Sequence, residues 1–223
     1  MTASVVSPTD TAPTDTAREL FRAAYEHRYT WDKDFPGLTA DAVIEEGGAT
    51  HRAKVQVNRD LKIEVTEATS EEGGKKIREQ IWEIVIHRVR RGFEEVHGKN
   101  TFAIEAEDNG TVTLAMGGGA TGDRYKVRDR QVVMVHRHIH GVVVTIDTLT
   151  SYEAGAEGYL PETYTSIYSD PQTGEPKGGR MAHRDRYVQL GGYHVLAERT
   201  VTTETPNGPQ TMVFRLENLV LGA

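Results

Sequence analysis

The chain has no cysteine, which excludes disulfide scaffolds, iron–sulfur clusters, thiolate zinc sites and cysteine nucleophiles together and leaves any metal to nitrogen and oxygen ligands. It also lacks a Gly-x-Ser-x-Gly elbow, so nothing in it anchors serine acyl chemistry. No stretch approaches the ~20 consecutive apolar residues of a membrane-spanning helix. The opening MTASVVSPTDTAP carries no Lys or Arg and no apolar core of the length an export signal needs, so a cytoplasmic protein that is not membrane-integral is expected. Basic residues are outnumbered, 26 against 33 acidic, and the formal net charge of -7 gives no electrostatic footprint for nucleic acid or an anionic membrane. The segment GGGATGD, Gly117 to Asp123, lacks the Lys-Ser/Thr of a phosphate loop and sits between two strand-like runs, so it reads as a flexible hairpin loop.

What is present is mostly strand. The Ser-, Thr- and Pro-rich residues 1–13 are expected to be a disordered tail, and residues 14–223 a single α+β domain. Thr16 and Glu19 are spaced as a capping box ahead of Ala17, Leu20, Phe21, Ala24 and Tyr25, which predicts a helix to about Tyr29. A second helix is predicted from Glu71 to Glu95, where Ile77, Ile81, Ile84, Val85 and Val89 recur at three- and four-residue intervals. Trp31 and Trp82 are read as core anchors. Short runs before and after this helix alternate apolar and polar residues and are divided by turn signals, Asn109-Gly110 being the clearest. The expected fold is a strongly curved antiparallel half-barrel of about ten strands with two helices packed on its concave side.

The segments RELFRAAYEHRYTW, WEIVIHRVRRGFEEVHGKNTF, GDRYKVR, VHRHIHGVVVTIDT, GYLPETY and YSDPQTGEPKGG resemble an uncharacterised family of cyanobacteria and related photosynthetic lineages, a domain of unknown function. The order of elements resembles the lipoprotein-carrier fold, whose curved sheet encloses a hydrophobic cavity. That resemblance and the sheet length imply a binding protein for a hydrophobic or amphipathic small molecule held in the concavity. The lineage alone implies a third reading, an assembly factor for photosynthetic machinery.

The stretch VHRHIHG, Val135 to Gly141, supplies the sharpest chemistry. On a strand His136, His138 and His140 share one face, while Arg137 and Ile139 take the other. Neighbouring imidazoles ~6.7 Å apart can meet on one ion, whereas the outer two, ~13 Å apart, cannot. A metal site for zinc, copper or iron, in a metal-binding protein or metalloenzyme, is thus expected to use His136 and His138 with a third ligand such as His183. The bland alternative is that these rings hydrogen-bond within a half-buried sheet. If the row faces the concavity, it is expected to orient a ligand together with Arg88 and Arg91 of the basic run HRVRR, Arg124, and Tyr164 of the tyrosine-rich segment Tyr152 to Tyr168. Arg88 and Arg91 equally suit the negative end of a helix dipole, and the tyrosines an ordinary sheet.

Overall fold

The computed structural model describes residues 14–222, with side chains from residue 16 onward. The tail expected over residues 1–13 lies outside the described residues. Twelve strands form one antiparallel sheet: β1 Leu38–Glu46, β2 Ala49–Val57, β3 Ile63–Thr66, β4 Asn100–Asp108, β5 Thr111–Gly118, β6 Arg124–Arg128, β7 Gln131–Ile139, β8 Val142–Glu153, β9 Tyr159–Ser169, β10 Met181–Leu190, β11 Tyr193–Thr203 and β12 Gln210–Leu221. Three helices, α1 Thr14–Glu26, α2 Glu71–Arg88 and α3 Phe93–His97, complete the fold. The sheet order is β3-β2-β1-β12-β11-β10-β9-β8-β7-β6-β5-β4, so it stays open, and the α2–α3 connection joins its two edge strands, β3 and β4.

Register settles which side chains share a face, because directly opposed residues point the same way. Ile44, Phe214, Arg199, Asp185 and His183 are linked by successive pairings or lie two residues apart on one strand, as are Tyr164, Thr148, Ile146, Val135, Tyr125 and Leu114. This face carries both apolar cores and defines the inside of the curve. Under α2, Ile77, Ile81 and Ile84 pack with Ala42, Ile44, Val55, Phe214 and Leu216. At the far end, Ala17, Phe21 and Ala24 of α1 pack with Phe93, Phe102, Leu114, Met116 and Tyr125.

Both long helices depart from their expected bounds for identifiable reasons. Helix α1 starts at Thr14, which leaves Thr16 inside its first turn instead of at the cap, and it ends at Glu26 because Arg28 and Tyr29 are drawn into backbone pairing with Tyr159. Helix α2 begins as predicted: the Ser70 hydroxyl accepts from the Gly73 amide at 3.0 Å, and Glu71 and Glu72 face the positive end of the dipole. It stops seven residues short of Glu95. The Trp31 amide takes the Arg88 carbonyl at 2.8 Å and Val89 turns extended, while Phe93 opens α3 and buries itself in the other core. Hairpin turns follow the local chemistry: Asn109-Gly110 has positive φ at both residues. Of the two tryptophans, Trp31 is buried as expected, but Trp82 is 56% exposed, because it lies on the helix face opposite the isoleucine stripe.

Phe214 is fully buried where β12 crosses beneath α2. Phe214→Ala is expected to cost about 3–5 kcal/mol through lost transfer energy and a residual cavity. Urea unfolding monitored by tryptophan fluorescence checks this, and a loss below ~1 kcal/mol would contradict the placement of this core.

Candidate functional site

Helix α2 packs on β1, β2 and β3, and α1 on β4, β6 and β7, so the inner face of the strands between them is left largely without a helical cover. Ile146, Tyr164 and Met181 are only partly buried there, and Tyr168 is 38% exposed. This uncovered strip of the inner face leaves a trough between the two helices. Two depressions of about 320 and 720 Å³ lie instead on the outer face, lined by residues such as Lys54 and Glu64 in one and Lys126, Asp147 and Arg180 in the other. Both are open and of mixed polarity, so neither suits an apolar ligand.

A buried polar network forms the floor of the trough under α2. Arg199 donates to both carboxylate oxygens of Asp185, at 2.8 and 2.7 Å, and to Glu83 of α2 at 3.2 Å. The Tyr187 hydroxyl donates to the Pro161 carbonyl at 2.8 Å and lies 3.3 Å from Asp185. Arg88 reaches that hydroxyl at 3.4 Å. Burial alone would lower the Arg199 pKa, but the bond to Asp185 outweighs it and the net direction is upward. Burial raises the phenols of Tyr164 and Tyr187 well above the ordinary range, so both stay neutral hydrogen-bonding groups.

Three histidines border this interior as neutral bases. His183 stacks on Tyr164 with ring centres 4.4 Å apart, its Nε2 lies 2.9 Å from the Ser166 hydroxyl, and burial drives its pKa down to about 4. His97 is pushed down to about 4 by burial and then by Arg137 and Arg28, and its Nδ1 accepts from Asn100 at 3.1 Å. His87 is open to solvent, yet protein surrounds it enough that burial, followed by the charges of Arg88, Arg199, Arg28 and Arg137, lowers its pKa to about 4. Those two properties coexist when a ring projects into a hollow that water enters.

The expected histidine row lies elsewhere. His136 opposes Arg124 and Thr145, and His138 opposes Val143, which puts both on the outer face. His136 bonds the Thr145 hydroxyl at 2.9 Å, as the bland reading had it, and His138 contacts Asp123 at 3.2 Å. His140 leaves the strand altogether, because it and Gly141 adopt positive φ in the β7–β8 turn. The rings of His136 and His138 are 5.9 Å apart and perpendicular. His183 stands three strands away on the opposite face, ~14 Å at ordinary strand spacing, so it does not join them. Among the described residues no three His, Asp or Glu side chains are grouped to hold a metal ion.

The remaining expected ligand contacts also separate. Arg124 pairs with Glu105 on the outer face, and Arg91 is exposed beyond the end of α2, where its carbonyl accepts from the Tyr25 hydroxyl. Arg88 and Tyr164 do belong to the trough. The residues that complete its polar floor, Asp185, Arg199, Glu83 and Tyr187, are absent from the sequence-based set. In MAHRDRYVQL the inner positions His183, Asp185 and Tyr187 are as polar as the outer Arg184 and Arg186, so alternation there carries no inside–outside signal.

The chain belongs to the family described as protein of unknown function (DUF3386), which matches residues 12–221. No curated protein matches it. Among solved structures it is similar to a DUF1329 family protein from Desulfovibrio piger, at 10% identity over 95% of this chain and 94% of that one, with a TM-score of 0.29. It is also similar to a putative outer membrane lipoprotein-sorting protein domain from Vibrio parahaemolyticus, at 9% identity over 93% and 92% of the two chains, TM-score 0.31. A third is MucB of Pseudomonas aeruginosa in its complex with MucA, at 10% identity over 93% and 99%, TM-score 0.25. No helix among the described residues is long and apolar enough to cross a membrane.

Two predictions follow from the network and its neutral histidines. Asp185→Asn is expected to destabilise the fold by about 3 kcal/mol by weakening the counter-charge of a buried guanidinium, whereas Asp185→Leu combined with Arg199→Met should cost far less. Equal losses in urea titrations of the two variants would contradict the ion-pair assignment. For His97 the folded pKa of about 4 lies below the unfolded value near 6.5, so the unfolded chain binds the extra proton. Its contribution, on the order of 3 kcal/mol, is therefore complete above pH ~6.5 and lost as pH falls toward 4. Unfolding free energies measured across that window should slope upward with pH, less steeply in His97→Gln; an identical slope in the variant would count against the assignment.

Proposed function

We propose that this protein binds a hydrophobic or amphipathic small molecule in the trough between α2 and α1. The observation that carries the reading is the row of partly exposed apolar and aromatic side chains on the inner face, Ile146, Tyr164, Tyr168 and Met181, in the part of the curve the helices leave largely uncovered. The polar groups that border it are few and converge from one side, the arrangement that orients a ligand without wetting its tail. No structural observation favours the assembly role.

Titration with N-phenylnaphthylamine, a neutral apolar fluorophore, tests the proposal. One probe is expected to bind per chain with a rise in fluorescence, to be displaced by dodecanol, and to bind at least about tenfold more weakly to Ile146→Glu, because that change buries a charge in the trough wall. Probe binding that survives Ile146→Glu unchanged, or no saturable binding by the parent protein, would overturn it.

A further inference from the structure

The cations around this trough are poorly matched by carboxylates. Arg199 is satisfied by Asp185 and Glu83. Arg88 is only 8% exposed, yet among the described residues it has no carboxylate within 4 Å; its contacts are the Tyr187 hydroxyl and the His87 carbonyl, both at 3.4 Å. Arg28 also lacks a carboxylate among the described residues, and it lies over the Tyr25 ring at 3.9 Å and donates to the Tyr25 carbonyl. Arg137, on the inner face opposite Val144, holds Asp123 through a single 3.4 Å contact and leaves nearly half its side chain in solvent. A guanidinium cannot shed its proton, so a buried one without a counter-charge is a standing cost to the fold.

Backbone geometry brings Arg28 to the end of α2. Arg28 pairs with Tyr159 at the start of β9, and Trp31, three residues on, pairs with Val89 and takes the Arg88 carbonyl. A short extended segment thus ties Arg28 to the end of α2, within ~10 Å of Arg88. The charges of Arg88, Arg199, Arg28 and Arg137 are all felt at the His87 ring, which is itself open to solvent. Within a chain of net charge -7, Arg28 and Arg88 thus stand without a carboxylate partner among the described residues and Arg137 with one long contact, which leaves this region short of counter-charge. Low local dielectric strengthens attraction for an anion there and excludes competing salt.

We infer that the ligand is an anionic amphiphile whose acidic head group, a carboxylate or a phosphate monoester, seats among Arg28, Arg137 and the His87–Arg88 end of α2, with its tail along Ile146, Tyr164 and Tyr168. This rests on the trough reading above and specifies the ligand class for it. Planar guanidinium groups bind both head groups in two-pronged fashion, and the aromatic contact of Arg28 holds its fork in place.

Calorimetric titration of the full chain at pH 8 with three ligands of one chain length, dodecanoate, dodecyl phosphate and dodecanol, tests the inference. Both acids are expected to bind at least tenfold more tightly than the alcohol, and the order of the two acids identifies which head group the site prefers. In Arg28→Gln/Arg137→Gln this preference should fall to less than threefold with dodecanol affinity unchanged, and in Arg28→Lys/Arg137→Lys most of it should return. Arg137→Gln alone, at a half-exposed position, should lose part of the preference even if the double variant folds poorly. Equal binding of acid and alcohol by the parent protein, or a preference untouched by Arg137→Gln, overturns the head-group site while leaving the trough intact. Binding of none of the three overturns the trough reading and this inference with it.

Discussion

Among the described residues, one open sheet of twelve strands served by three helices cannot have its whole inner face covered, and this geometric shortfall governs the rest of the molecule. A wide antiparallel sheet must twist and curl, and curling brings its two ends toward each other without joining them. The ends are where the helices sit: α2 over β1–β3 and α1 over β4, β6 and β7, each with a separate apolar core. What lies between is neither core nor ordinary surface. The connection from β3 to β4 runs from one edge of the sheet to the other through α2 and α3, so it bounds that space on the side away from the strands.

The polar network is the necessary complement of this geometry. A helix packed only at one end of a sheet needs a fixed lateral position, and Glu83 supplies it by reaching Arg199, which Asp185 holds rigid through two short bonds. The neighbouring phenols and imidazoles are held neutral by burial, so among the described residues the full charges in the interior are guanidinium groups and their few carboxylates.

Much of the architecture is legible in the sequence because it is written locally. Alternation marks the strands, the positive-φ pair Asn109-Gly110 marks a hairpin, and the isoleucine spacing of α2 marks the face it buries. The end of α2 is not legible, since the pairing that stops it involves Trp31, far away along the chain, while Val89 continues the helical pattern. The histidine row shows the same limit. Alternation correctly puts His136 and His138 on a common face, but Met134 on one side and Val135 on the other are equally apolar, so nothing nearby says which face is inside. Arg88 and Tyr164 could be singled out by residue type, whereas Asp185 and Arg199 become a site only when β10 and β11 pair.

The central claim is that the inner face, not the outer one bearing the histidine row, receives the ligand, and the absence of cysteine makes it directly measurable. Single cysteines introduced as Tyr168→Cys and His138→Cys can each be labelled with a maleimide, with and without saturating dodecanoate. The account predicts that the ligand slows labelling of the Tyr168→Cys protein severalfold and leaves the His138→Cys protein unchanged. Protection at the outer position, or none at the inner one, would contradict it.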